Sequence, residues 1–175
     1  NSEEYFARFY PASDSATQSF LRTALEKRRG AGDMLDRLID LYELGQARIV
    51  GFTSLFFENM VSFALARKIK ERNPRVLIAQ GGATSESPSG EEYIRHVPAL
   101  DFVVSGPGLK SFPRVVRNIL EGRMDQNHDI PGVFTQVNLG RNVAQMGEEL
   151  SIDTQIELDY APFLQALEEK LPAWE

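Results

Sequence analysis

The chain has 175 residues, 42% hydrophobic and 25% charged, the balance of one soluble globular domain able to enclose a core. Its 25 acidic residues against 19 basic ones leave a formal net charge of −6, the wrong sign for a partner of nucleic acid, and no stretch nears the roughly 18 apolar residues of a membrane-spanning helix. Zero cysteines exclude disulfides, thiolate nucleophiles and cysteine-held zinc or iron–sulfur sites, and two histidines, His96 and His128, are too few for a multi-histidine metal centre.

The start, Asn1-Ser2-Glu3-Glu4, lacks the layout of a signal peptide, so a cytoplasmic location is expected, and a first residue other than methionine is expected of a processed or excised piece. From Thr17 to Arg29 the residues Phe20, Leu21, Ala24 and Leu25 recur at one-turn spacing before Gly30, which predicts an amphipathic helix stopped by that glycine. A second helix is expected from the N-cap Asp33, with Met34, Leu35, Leu38, Ile39 and Tyr42 on one face and Gly45 at its end. Together they predict a helical pair over 16–45.

The pattern then changes. Arg48 to Thr53 is a short apolar run, typical of a strand buried on both faces. Glu58 to Arg72 places Val61, Ala64, Leu65 and Ile69 at helical spacing and stops at Asn73-Pro74. Val76 to Ala79 reads as the next strand, Glu91 to His96 as a short helix and Phe102 to Val104 as a third strand. Phe112, Val115, Val116, Ile119 and Leu120 then mark a helix closed by Gly122, and a short strand Gly132 to Thr135 follows. The alternation predicts an α/β fold, a Rossmann-like or flavodoxin-like doubly wound parallel sheet over 1–137. From 138 to 175 periodicity fades and a tether is expected, helical only over Phe163 to Lys170.

Ligands of open parallel sheets bind outside the carboxyl ends of the strands. Three loops there hold the candidate residues: Thr53, Ser54, Leu55, Glu58 and Asn59; Gly81, Gly82 and Ala83; and Gly106 and Gly108. Glycines and small hydroxyl residues permit close backbone approach and offer N–H groups. For any one loop a tight turn is the commoner reason for the glycine, and it is the three loops together that point to a site. Gly106 to Ser111 fails as a dinucleotide fingerprint because Pro107 and Ser111 break it, no phosphate-loop motif occurs, and Asp101 precedes its strand and so belongs to the opposite edge. His96 reads as a helix-end residue, His128 as part of a solvent-exposed loop, and Phe56-Phe57 as a contact for a flat ligand or for the neighbouring helix.

The runs Ile49 to Ser54, Phe57 to Asn59 and Ala64 to Lys70, with Gly81-Gly82-Ala83, Asp101 to Gly108, Pro131-Gly132-Val133 and Leu158-Asp159-Tyr160, resemble the cobalamin (B12)-binding N-terminal domain of radical S-adenosylmethionine proteins that mature ribosomal peptides. The likeness covers about residues 48 to 135 by a combination of modest motifs. Two departures stand out: Pro107 replaces an acidic residue, and the family's first strand and helix have no counterpart here. The resemblance implies a cobalamin against the three loops. It also implies a radical catalytic domain in cis, outside this chain, holding the iron–sulfur cluster and S-adenosylmethionine, and a peptide substrate for a methyl-transfer or other radical reaction. The chain alone is then not catalytic, and the aspartate-x-histidine-x-x-glycine motif that supplies a cobalt ligand in other cobalamin modules is absent. The rival expectation is a Rossmann-like interaction or regulatory module without cofactor.

Overall fold

The structure, a computed structural model, describes residues 8, 15–56, 58–141, 145–155 and 158–170. Helix α1 runs unbroken from Ser15 to Leu41, where the sequence pattern predicts two helices parted at Gly30. A glycine ends a helix when the chain beyond it turns aside into a capping bond, whereas inside a helix it costs only ~1 kcal/mol relative to alanine. Here Ala31, Met34 and Leu35 continue the helical pattern, and Gly30 and Gly32 are carried through it. Leu35 and Ile39, one turn apart, are buried against the body. Beside them the Asp36 carboxylate accepts hydrogen bonds from Lys68 at 2.5 Å and Arg72 at 3.0 Å. The Lys68 hydrogen bond, foremost, holds the Asp36 carboxyl below its usual range.

Strands β1 (Ile49–Thr53), β2 (Leu77–Gly81), β3 (Phe102–Val104) and β4 (Val133–Phe134) form one sheet in that spatial order. The first three are parallel, with Val50 beside Ile78 and Gln80 beside Val103, as the βαβ pattern predicts. Helices α2 (Asn59–Arg72) and α3 (Ser89–His96) make the two crossovers, and α4 (Gly108–Leu120) follows β3. β4 departs from the expected all-parallel sheet and lies antiparallel to β3. The reason is the route of the chain. α4 ends beside the amino end of the sheet, where Arg48 donates to the Ile119 carbonyl at 3.0 Å. The segment 121–132 then climbs to the carboxyl end, where Ser105 N–H donates to Gly132 O at 2.7 Å, so β4 must descend.

Side chains alternate across each strand. Ile78 and Val103 enter a first core with Ile39 of α1, Ala66 and Ile69 of α2 and Ile94 of α3. Ala79, Phe102 and Val104 enter a second core with Val115 and Ile119 of α4. The molecule is thus an α/β fold with a mostly parallel open sheet and helices on both faces, compatible with a Rossmann-like or flavodoxin-like architecture. Among the described residues, three helices cover the first face and α4 alone serves the second, and Gly51, in the middle of β1, is exposed.

The packed body continues past Val137, where the sequence pattern predicts a tether. Asn138 is buried, accepts from Thr135 N–H at 2.8 Å and donates to the carbonyls of Val133 and His128. Leu139 joins the first core. His128 is half-buried with Nδ1 2.9 Å from Thr135 Oγ1, not in a solvent-exposed loop as expected, because the 3-10 turn Met124–Asp129 folds it against β4. Helix α5 (Ala161–Lys170) has no buried residue. Among the described residues, no helix is long and apolar enough to cross a membrane.

Gly30 and Gly32 have nothing within 4 Å of an added Cβ. The double substitution Gly30→Ala, Gly32→Ala should therefore strengthen α1 by about 0.5–1 kcal/mol per site, read as greater ellipticity at the helical minimum in circular dichroism. Lower helicity would mean that the helix is broken at these glycines.

Candidate functional site

Because α4 stands over β3 and β4, a cleft of about 540 Å³ remains beside it on the second face of the sheet, within the range of small-molecule sites. Its floor is Gly51 of β1 with Ala79 and Gly81 of β2, positions that the parallel register sets side by side. Leu109, Phe112 and Pro113 on the first turns of α4 form the wall, while Thr53, Gly82, Gly106 and Gly108 complete the rim. A Cβ on Gly51 would lie 3.5 Å from Phe112 Cζ, and one on Gly108 would lie 3.8 Å from Val104 Cγ1. The missing side chains of Gly51, Gly81 and Gly108 are therefore part of the open space.

Gly82 and Gly106 serve differently. Gly82 has φ +94°, and a Cβ there would overlap the Ser54 carbonyl and stand 2.7 Å from Ser54 N. Its bareness lets the β1–α2 loop lie across the β2–α3 loop, a crossing fixed by Ser54 N–H to Gly81 O at 3.0 Å and Thr84 N–H to Ser54 O at 3.3 Å. Gly106, at φ +77°, is covered by Met146 and Gly147. A bulky residue at either position would strain the backbone before it reached a ligand.

Of the sequence-predicted candidates, Thr53, Gly81, Gly82, Gly106 and Gly108 meet around the cleft; the other five lie outside its lining. Ser54 is 1% exposed and donates its hydroxyl to Glu58 at 3.3 Å. Glu58 closes its own loop: its carboxylate accepts the Phe56 N–H at 3.0 Å, and that bond, foremost, holds the carboxyl below the ordinary value of 4.5. Asn59 belongs to the first face of the sheet. Its amide donates to Thr84 Oγ1 and Tyr93 Oη, both at 3.0 Å, and accepts from buried Gln80 at 3.2 Å, so it ties α2 to the second loop and to α3. Leu55 and Phe56 are 60% and 74% exposed, Ala83 is exposed in the 3-10 turn Ala83–Ser85, and Phe57 lies outside the described residues.

The sequence reading missed Gly51, Phe52, Ala79, Gln80, Val104, Leu109, Phe112 and Pro113 as cleft residues. Period-two alternation from Gly81 back to Ala79, carried across the register to Gly51, was the available signal for the floor. The spacing i, i+3, i+4 from Leu109 was the signal for the wall.

The lining is mainly apolar, and its side chains include no titratable group. Its one side-chain hydroxyl is that of Thr53. His96 sits in the last turn of α3, 3.2 Å from Glu92, and neither histidine lines the cleft. Asp101 accepts Ile78 N–H and pairs with Lys70, both at 2.7 Å, at the edge opposite the cleft. Among the described residues, no group of three histidine, cysteine, aspartate or glutamate side chains is placed to hold a metal ion. No protein-family model matches the chain, and no curated protein matches it.

The depressed Glu58 pKa fixes a sign. Its contribution to the loop is present above the unfolded glutamate value and is lost as pH falls through the lower folded value. The Phe56 amide proton resonance should titrate with a midpoint below 4.5, and Glu58→Gln should abolish that titration. A wild-type midpoint at or above the ordinary value would show that the carboxylate does not hold the loop.

Proposed function

We propose that this chain is a corrinoid-binding domain whose cleft receives part of a cobalamin, in a radical S-adenosylmethionine enzyme that modifies a ribosomal peptide. The observation that carries the reading is the apolar cleft at the carboxyl ends of parallel strands, floored by Gly51, Ala79 and Gly81. A floor almost without side chains admits a flat apolar body to van der Waals contact with the sheet. The backbone at Gly82, Gly106 and Gly108 and the Thr53 hydroxyl supply partners for amide-edged groups. A cobalamin is larger than about 540 Å³, so the rim would meet what the cleft does not enclose. The group supplies, when bound, a cobalt–carbon bond for methyl or radical transfer. This chain's part is to bind it and keep water from its apolar flank. With no cysteine in the chain, the iron–sulfur cluster and S-adenosylmethionine belong to a catalytic domain in cis, and the peptide substrate with them. The reading implies a cytoplasmic location.

A second reading, an interaction module without cofactor, is favoured by the apolar side chains of Leu55, Phe56 and Met60, exposed at 60%, 74% and 75% next to the first loop. Titration with hydroxocobalamin separates the two. On the corrinoid reading the chain shifts the visible bands saturably and co-elutes with the ligand on gel filtration. Gly51→Val should abolish both while leaving the thermal midpoint equal or higher, since valine suits a strand better than glycine and its Cβ meets Phe112 at an ordinary 3.5 Å. Undiminished binding by Gly51→Val would move the site elsewhere, and no binding by the wild type would favour the interaction module.

A further inference from the structure

A fourth segment reaches the rim of the cleft. Residues 145–148 pass over the loop that leaves β3: Gly147 N–H donates to Ser105 O at 2.8 Å, and Glu148 pairs with Lys110 at 3.6 Å. Gly147 is buried, and a Cβ on it would lie 2.8 Å from both Pro107 O and Ser111 Oγ. On its other side stands Gly132, whose own Cβ would lie 2.6 Å from Gly147 Cα. Gly106 completes the crossing: an added Cβ would lie 3.2 Å from Met146 Cε and 3.3 Å from Gly147 N. Three glycine backbones thus meet where one of them, Gly106, also borders the cleft.

We infer that Gly147 is a positioning residue of the cleft: through it, residues 145–148 clamp the third loop in the shape that forms part of the rim, so that clamp docking and ligand binding favour each other. Gly106 and Gly132, at φ +77° and +72°, hold backbone shapes that an unpacked loop adopts only among many others. β3 has three residues and gives little anchorage to the loop that follows. The Gly147 N–H occupies the carbonyl of Ser105, a residue with no exposed surface, and without it that acceptor loses a partner. A ligand that touches Gly106 and Gly108 binds the ordered loop, and whatever raises the population of that loop raises its apparent affinity by the same factor. The clamp itself is held by the Gly147 backbone hydrogen bond and an ion pair whose side chains are 42% and 62% exposed, a set weak enough to open locally without global unfolding. The identity of the ligand, though not the clamp, rests on the corrinoid reading.

The test uses the full chain with Gly147→Val, which has no room for its side chain, and Gly122→Ala as control, a glycine at φ +73° with nothing within 4 Å of an added Cβ. In ligand-free protein, hydrogen exchange of the amides over 105–109 should quicken roughly tenfold in Gly147→Val, while β1 and β2 keep their protection and Gly122→Ala leaves the loop unchanged. The hydroxocobalamin dissociation constant should rise by about the same factor, within the usual range of coupling between sites. Unchanged loop exchange in Gly147→Val overturns the clamp, and so does a loosened loop with unaltered affinity. A loosened loop in a protein whose wild type binds no hydroxocobalamin retains the clamp and removes the corrinoid.

Discussion

From Ile78 to Gly81, strand β2 has large and small side chains on opposite faces, and much of the molecule's asymmetry follows from that. Ile78 and Gln80 point toward the helices of the first face, and Ala79 and Gly81 point the other way. On the first face, bulk demands cover, and α1, α2 and α3 supply it with Ile39, Ala66, Ile69 and Ile94. On the second, Gly51 of β1 continues the flatness of Ala79 and Gly81 toward the carboxyl ends of the strands, whereas Ile49 and Leu77 at the amino ends join Phe102 and Val104 of β3 in the core where Val115 and Ile119 of α4 settle. The cleft is the unfilled half of that second face.

The loops above the sheet are fixed by backbone crossing and by a polar knot behind them. Asn59 saturates its amide with Thr84, Tyr93 and Gln80. Gln80 is a costly choice in an otherwise apolar strand, since its Oε1 has no hydrogen-bond partner among the described residues, and a buried polar atom left unsatisfied is destabilising. What the knot achieves is registry: α2, the second loop and α3 cannot slide independently while Asn59 bonds all three. The first two loops are thereby fixed from behind the sheet, and the third is fixed from above by residues 145–148.

Much of the fold was legible because strand-sized apolar runs and helical periods alternate cleanly from Arg48 to Leu120, and local pattern dictates a βαβαβ arrangement. The single long α1 was not legible, because whether Gly30 ends a helix depends on what the chain does afterwards, which no local rule decides. The reversal at β4 was hidden for a related reason. A two-residue strand has no period, and its direction is set by the climb of 121–132, a path fixed by tertiary contacts such as the Asn118–Asn127 hydrogen bond. At the cleft, chain position at strand ends drew attention to Thr53, Gly81 and Gly108, which border it. It could not separate these from Gly82, whose bareness serves another backbone, or from Ser54 and Asn59, which face inward, because glycine looks the same in sequence whether the space beside it holds a ligand or a carbonyl.

The division of labour around the cleft bears on how such a pocket can diversify. Its floor and much of its rim are glycine, at positions where a side chain either fills the pocket or collides with a crossing loop. Those positions are effectively closed to variation. The wall is different: Leu109 and Pro113 are exposed on one side of a helix whose opposite side, Val115 and Ile119, is locked into the core. Substitution there changes what the pocket touches without disturbing what holds the sheet together. Selectivity in this architecture would therefore evolve along the first turns of α4, and a designer seeking new ligands would randomise those turns and leave the glycines alone.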